Sequence, residues 1–228
     1  MQHLKSIERL ERGPAPRPRV RFSTALLLET GEAAWAYAMI ERAFEDRCAF
    51  GPAAAERAGA ECPSAWLSRL VRDVASEAST EDLIGRLIVV PTPDAALSDL
   101  AAPALCDKIV AGTRLGQQEF CFEVRLSAIA AAPEQAADWI KTARSRGFRV
   151  AIDARRAAPC RVAPSTWLMI DSLRVDADTL FTEAAVVEFI EQAVQTGVSV
   201  LADRPRWRDG GALALLGVDY GLNPQADA

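Results

Sequence analysis

Four carboxylates stand at the carboxyl ends of short apolar runs: Glu123 after Phe120-Cys121-Phe122, Asp153 after Val150-Ala151-Ile152, Asp171 after Leu168-Met169-Ile170 and Asp203 after Val200-Leu201-Ala202. Such runs read as buried strands, and where parallel strands close into a barrel the reactive groups collect at the strand ends. Carboxylate oxygens gathered there suit a hard divalent cation such as magnesium, calcium or manganese. A plainer reading competes with this one, because an acidic residue at a strand end also caps a helix or pairs with an arginine. Arg125, Arg155, Arg156 and Arg204 lie close in sequence to three of these carboxylates. Spacing alone leaves both readings open.

Other reactive chemistry is thin. Cys48, Cys62, Cys106, Cys121 and Cys160 include no C-x-x-C spacing, and His3 is the only histidine. That set makes neither a structural zinc site nor a cysteine–histidine dyad, and the cysteines read as reduced, buried small hydrophobes. A formal net charge of -5 argues against nucleic acid or an anionic membrane surface as partner. No run approaches the roughly 20 apolar residues of a membrane helix, and residues 1–21 are too charged for a signal-peptide core. A cytoplasmic protein is expected.

The strand ends need a scaffold. The chain has 228 residues, 50% hydrophobic and 25% charged, which fits one globular domain. Residues 1–18, ending in Gly13-Pro14-Ala15-Pro16-Arg17-Pro18, read as a flexible N-terminal arm, and 19–228 as the folded domain. Segments 20–28 and 33–44 read as the strands of a hairpin turning at 29–32. Segments 53–59 and 64–78 read as helices, the second with Trp66, Leu67, Leu70, Val71 and Val74 on one face. Strands at 86–90, 119–124, 148–152, 166–170 and 198–202 then alternate with helices at 94–111, 133–146, 183–196 and 210–216. This α/β alternation predicts a parallel sheet covered by helices, and about seven strands in one domain favour a closed barrel.

Several segments resemble one family in order and spacing. Phe120-Cys121-Phe122-Glu123-Val124 resembles the L-E-I-T-E strand of the EAL domain of cyclic-di-GMP phosphodiesterases. The stretch from Ser145 to Asp153 resembles L-G-x-x-(L/I)-A-(L/I)-D-D, and Trp167-Leu168-Met169-Ile170-Asp171 resembles L-K-I-D. The stretch from Thr196 to Asp203 resembles G-x-x-V-(V/I)-A-E, and Leu215-Leu216-Gly217-Val218-Asp219-Tyr220 resembles the L-G-(C/V)-D-Y that precedes the last strand. Leu28 to Met39 resembles the turn and strand ending in E-A-L. The resemblance implies a TIM-like (β/α) barrel of the EAL type.

In that family two divalent cations, held by carboxylates and an asparagine, activate water against a phosphodiester while a lysine assists. Carried over by position, Glu123 and Asp153 are retained, and Asp203 replaces the late glutamate. The signature glutamate falls on Tyr37, the asparagine on Val90, the second aspartate on Ala154 and the lysine on Met169. The nucleotide-contacting arginine falls on Glu41, and the loop after the aspartate pair is rewritten from Arg155 to Cys160, so the dimer that family builds there is not expected. Tyrosine, valine, alanine and methionine supply no anionic oxygen, so neither metal nor cofactor is expected.

The resemblance therefore implies a catalytically inactive EAL-like module that binds a protein partner in cyclic-di-GMP-related or motility signalling, as degenerate members of the family do. Contact features would be the arm, with Lys5, Arg9 and Arg12, and Trp207 between Arg206 and Arg208. One alternative is a non-hydrolysing cyclic-di-GMP receptor using Arg125, Arg155 and Arg204. The other is a weak metal-dependent phosphodiesterase using Glu123, Asp153 and Asp203.

Overall fold

The computed structural model describes residues 19–41, 63–155 and 159–223. The arm at 1–18, the helix expected at 53–59, Cys48, Cys62, Arg156 and the side chain of Glu41 lie outside the described residues. β1 (Arg19–Leu27) and β2 (Ala33–Glu41) form the expected hairpin. Gly31 N donates to Leu27 O at 2.8 Å and Leu27 N to Glu32 O at 2.9 Å.

From β2 onward neighbouring strands run parallel: β3 (Leu87–Pro91), β4 (Phe120–Arg125), β5 (Arg149–Asp153), β6 (Ser172–Asp176), β7 (Ser199–Asp203) and β8 (Tyr220–Leu222). β8 pairs antiparallel with β1 and closes the ring in sequence order. The eight-stranded barrel is thus mixed rather than wholly parallel, because the link from β1 to β2 at 28–32 is too short for the crossover a parallel pair requires.

The helices are α1 (Pro63–Thr80), α2 (Ala102–Val110), α3 (Leu126–Ala131), α4 (Pro133–Ser145), α5 (Pro164–Trp167), α6 (Ala177–Leu180), α7 (Ala184–Gln195) and α8 (Gly210–Leu215). Outward-facing strand residues such as Ile88, Phe122, Ile152 and Val200 pack with Leu67 of α1, Trp139 and Ile140 of α4 and Ile190 of α7 in one cluster. Each fully buried side chain of this size stabilises the fold by about 1.5–3 kcal/mol relative to exposure. Two helix-to-strand turns repeat one geometry. Gly147 (φ +89°) and Gly197 (φ +79°) adopt the left-handed conformation, and the next residues, Phe148 and Val198, donate back to Ala143 O and Ala193 O at 3.2 and 3.1 Å.

Two expected elements are corrected. The helix at 94–111 is divided into a 3-10 turn, Asp94–Ser98, and α2, because Pro103 lacks an N–H and is accommodated only in a helix's first turn. The strand expected at 166–170 is instead the end of α5 and a turn, with Leu168 74% exposed, and the strand itself is Ser172–Asp176. Pro164 starts the short helix, and Leu168-Met169-Ile170 is an apolar run without strand pairing.

Candidate functional site

Strand alternation turns every second wall residue inward. Ala25, Tyr37, Val89, Cys121, Ala151, Leu201 and Leu222 pack together inside the ring, beside Trp35 and Tyr220, whose rings lie 4.1 Å apart. Two residues further along β4, β5 and β7, the same face carries Glu123, Asp153 and Asp203 at the barrel mouth. They are only 5%, 8% and 4% exposed. Three of the four carboxylates at the ends of apolar runs are therefore brought together.

Two guanidiniums hold them. Arg155, just past β5, grips Asp153 with Nε to Oδ1 at 2.9 Å and NH2 to Oδ2 at 2.8 Å, while its NH1 reaches Asp203 Oδ2 at 2.7 Å. Arg174, in the middle of β6, places NH2 3.1 Å from Asp203 Oδ1 and NH1 3.5 Å from both oxygens of Glu123. Its Cζ lies 4.9 Å from the centre of the Tyr37 ring, a cation–π contact. Asn223 Nδ2 adds a longer donation to Asp203 Oδ1 at 3.4 Å, and Asn223 in turn accepts from Ser23 Oγ.

The electrostatics follow from these distances. Burial alone would raise the Asp153 carboxyl, but the hydrogen bonds and charge of Arg155 overcome it and hold it below the usual range. For Asp203, burial likewise pushes upward and the charge of Arg174 with the bonds of Arg155 pulls it lower. Glu123 has only the longer contact with Arg174, so burial wins and its carboxyl is pushed up to about 7. Burial and the neighbouring Glu123 raise the Tyr37 phenol, whose Oη finds no hydrogen-bond partner among the described residues.

The remaining expectations sort by position. Asp171 is not at the mouth: it precedes β6 at the opposite end, accepts from Val150 N at 2.9 Å and pairs with Arg144 at 2.6 Å. Arg125 pairs with Asp94 and Arg204 with Asp176, so each candidate nucleotide contact, Arg155 included, already faces a carboxylate. Val90 packs outward in the helix layer; the residue in register with Glu123 is Pro91. An all-apolar strand does not reveal in sequence which face is inner. Ala154 and Met169 pack at the edge of the outer cluster. Met169, expected as the lysine counterpart, lies in the turn before β6 rather than on a strand, and the residue beside Asp153 on the inner face of β6 is Arg174.

Arg174 and Asn223 were missed as site residues. The available signal was the apolar–polar alternation of Ser172-Leu173-Arg174-Val175-Asp176.

The donor set does not fit a divalent metal pair. Tyr37 faces the interior where the resemblance asks for a glutamate oxygen, Val90, where it asks for an asparagine, packs outward, and the carboxylate oxygens of Asp153 and Asp203 already receive guanidinium N–H groups. Among the described residues no group of three or more His, Cys, Asp and Glu side chains is arranged to hold a metal ion. No helix of the described residues is long and apolar enough to cross a membrane.

No protein-family model matches the chain, and no curated protein matches it in sequence. Solved structures do resemble it. The EAL enzyme Bd1971, bound to cAMP and cyclic-di-GMP, superposes with a TM-score of 0.70 at 12% identity over 90% of this chain and 60% of that one. The PaMucR phosphodiesterase in complex with cyclic-di-GMP gives 0.70 at 13% identity over 90% and 88%. Klebsiella pneumoniae BlrP1, in a manganese and cyclic-di-GMP complex, gives 0.74 at 15% identity over 92% and 55%. The chain thus spans little more than half the length of Bd1971 and BlrP1. With the closed mixed ring and its interleaved helices, these superpositions identify the fold of this chain as that of the EAL-type barrel.

Proposed function

We propose that this chain is a catalytically inactive EAL-like barrel that serves as a protein-binding regulator in cyclic-di-GMP-related or motility signalling. The observation that carries the loss of catalysis is Asp203, whose two oxygens are taken by two different arginines, Arg155 at 2.7 Å and Arg174 at 3.1 Å. A hydrolytic site of this type needs those oxygens for cations that position and activate water.

Support for partner binding comes from the surface. Trp207, in the 3-10 turn Trp207–Asp209 that follows β7, is 41% exposed, and Phe181, after α6, is 51% exposed. Arg206 and Arg208 flank Trp207, and tryptophan with arginine is the combination that most often anchors interfaces. The arm at 1–18 belongs to the same proposal.

A second reading, a receptor that binds cyclic-di-GMP without cleaving it, is favoured by the ligands of the superposed proteins. In this chain it would require the nucleotide phosphates to displace carboxylates from Arg125, Arg155 or Arg204.

Calorimetric titration with cyclic-di-GMP, with and without magnesium or manganese, followed by chromatography for the linear product, tests these readings together. The expected result is neither heat nor product. Metal-dependent product would overturn the inactive reading, and metal-independent heat without product would replace the first reading by the second.

A further inference from the structure

The amino-terminal end of the barrel, opposite the mouth, carries its exposed charges in two blocks. Around the ring the strands follow in the order β8, β1, β2, β3, β4, β5. Asp219 stands before β8, Glu29 and Glu32 in the β1–β2 turn, and Glu81 and Asp82 after α1, all of them exposed. Leu28 N donates to Asp219 O at 2.9 Å, which sets Asp219 beside that turn. The next three strands begin among arginines instead: Arg86 before β3, Arg114 before β4, and Arg146 and Arg149 at the start of β5, again exposed. In a chain of net charge -5 such a block is a local excess of positive charge. The Glu119 carboxylate beside it is taken by the backbone N–H groups of Gly85 and Gly116.

These charges do not satisfy one another within the chain. Arg146 reaches Asp107 at 3.1 Å, but among the described residues neither the acids of the turn and of the end of α1 nor Arg86, Arg114 and Arg149 form an ion pair. Between the blocks lies Ile84, 44% exposed. Its loop is held in place: Asp82 (φ +55°) and Gly85 (φ +85°) take left-handed conformations, Arg86 N donates to Leu83 O at 3.1 Å, and Gly85 N is bound by Glu119. A surface ordered before contact loses less entropy when a partner docks.

We propose that this end of the barrel is self-complementary and docks a second copy of the chain, end to end, in an isologous dimer. A two-fold axis lying in this face at the junction of β2 and β3 sets the second copy's β2 over β3, its β1 over β4 and its β8 over β5. Glu32 then faces Arg86, the turn with Glu29 faces the loop of Arg114, and Asp219 faces Arg149, with all contacts repeated by symmetry and the two Ile84 side chains meeting near the axis. An axis through the middle of either block would set like charge on like. Complementary blocks therefore fix the register as well as the partner. The inference goes beyond the proposed function and uses no residue of the mouth.

Sedimentation equilibrium of the full chain tests it. The unaltered protein is expected to be half dimeric at on the order of 10 μM in about 50 mM NaCl, and its dissociation constant to rise at least about tenfold in about 500 mM NaCl, where exposed charges are screened. Arg86→Glu with Arg149→Glu makes the whole face acidic, and Glu29→Arg with Glu32→Arg makes it largely basic; each double variant should remain monomeric while melting within about 2 °C of the unaltered chain, because all four side chains lie on the surface. An equimolar mixture of the two double variants should dimerise again, since each face now meets its opposite. A dimer indifferent to salt and to either reversal would overturn the proposal, as would a mixture that stays monomeric. An unaltered chain that is monomeric at low salt up to about 100 μM would also overturn it and would leave the two blocks facing a different protein. No cyclic-di-GMP or foreign protein enters the experiment, so its failure leaves the partner-binding reading untouched, whereas cleavage of cyclic-di-GMP would sink that reading alone.

Discussion

At the amino-terminal end of the barrel, Asp171 and Asp219 each stand just before a strand and grip the backbone of its neighbour. Asp171 exchanges bonds with Val150 (N to O 2.8 Å, Oδ2 from N 2.9 Å), and Asp219 does the same with Val200 at 2.9 Å in both directions. At the carboxyl end, Asp153 and Asp203 are held by arginines. The same residue type therefore clamps the ring at one end and balances charge at the other. A backbone N–H is present whatever the neighbouring side chain, so the lower clamps depend on one residue each. The upper pairs depend on two or three side chains at once.

That contrast makes graded predictions. The largest effect is expected at the mouth. Asp203→Ala strands two arginine contacts in a buried setting and should cost about 3–5 kcal/mol in denaturant unfolding, more than any single change at the lower end. A loss below about 1 kcal/mol would mean the mouth is no brace.

Next comes the face of β3. Val90→Asn buries an amide in the outer apolar layer and should cost about 2–4 kcal/mol, whereas Pro91→Asn, opposite Glu123, should cost under about 1 kcal/mol. Equal costs would undo the register. Asp171→Ala leaves Val150 N without its carboxylate acceptor and should cost about 1–3 kcal/mol, with Asp171→Asn recovering part of it.

The pH dependence separates Glu123 from its neighbours. Its carboxyl, about 7 when folded against about 4.3 for an unperturbed glutamate, binds the proton more tightly in the folded state, so stability should decline as pH rises through that interval. Asp153 and Asp203, depressed in the fold, act oppositely: their stabilisation is present above about 3.9 and fades as pH falls below it. Melting temperature against pH should therefore peak near about pH 4–5 for this group of three, and Glu123→Gln should remove the decline on the neutral side. The smallest effect, within about 0.5 kcal/mol, is expected for Leu168→Gln, since that side chain lies on the surface.

Much of the scaffold was legible residue by residue. α1, α4 and α7 were readable because their apolar residues recur at helical spacing, and β4, β5 and β7 because short apolar runs end in a carboxylate and alternate with those helices. Glu123, Asp153 and Asp203 could be grouped because strand ends in a barrel share a mouth. β6 was not legible. Its inner face is Ser172 and Arg174, so only Leu173 and Val175 mark it, while the apolar run at 168–170 just before it attracts the assignment. A charged residue inside a strand looks like surface until a ring is closed around it.

Composition and periodicity thus determined the alternation of strands and helices, the outward apolar faces and the acidic strand ends, all properties of neighbours along the chain. Closure decided the rest: that Asp171 and Asp219 point to one end and Asp153 and Asp203 to the other, that Pro91 rather than Val90 faces Glu123, and that Arg155 bridges β5 to β7. The physical reason is that a guanidinium chooses its carboxylates by distance in space, and no local pattern records that Asp153 and Asp203 stand on either side of the same three nitrogens.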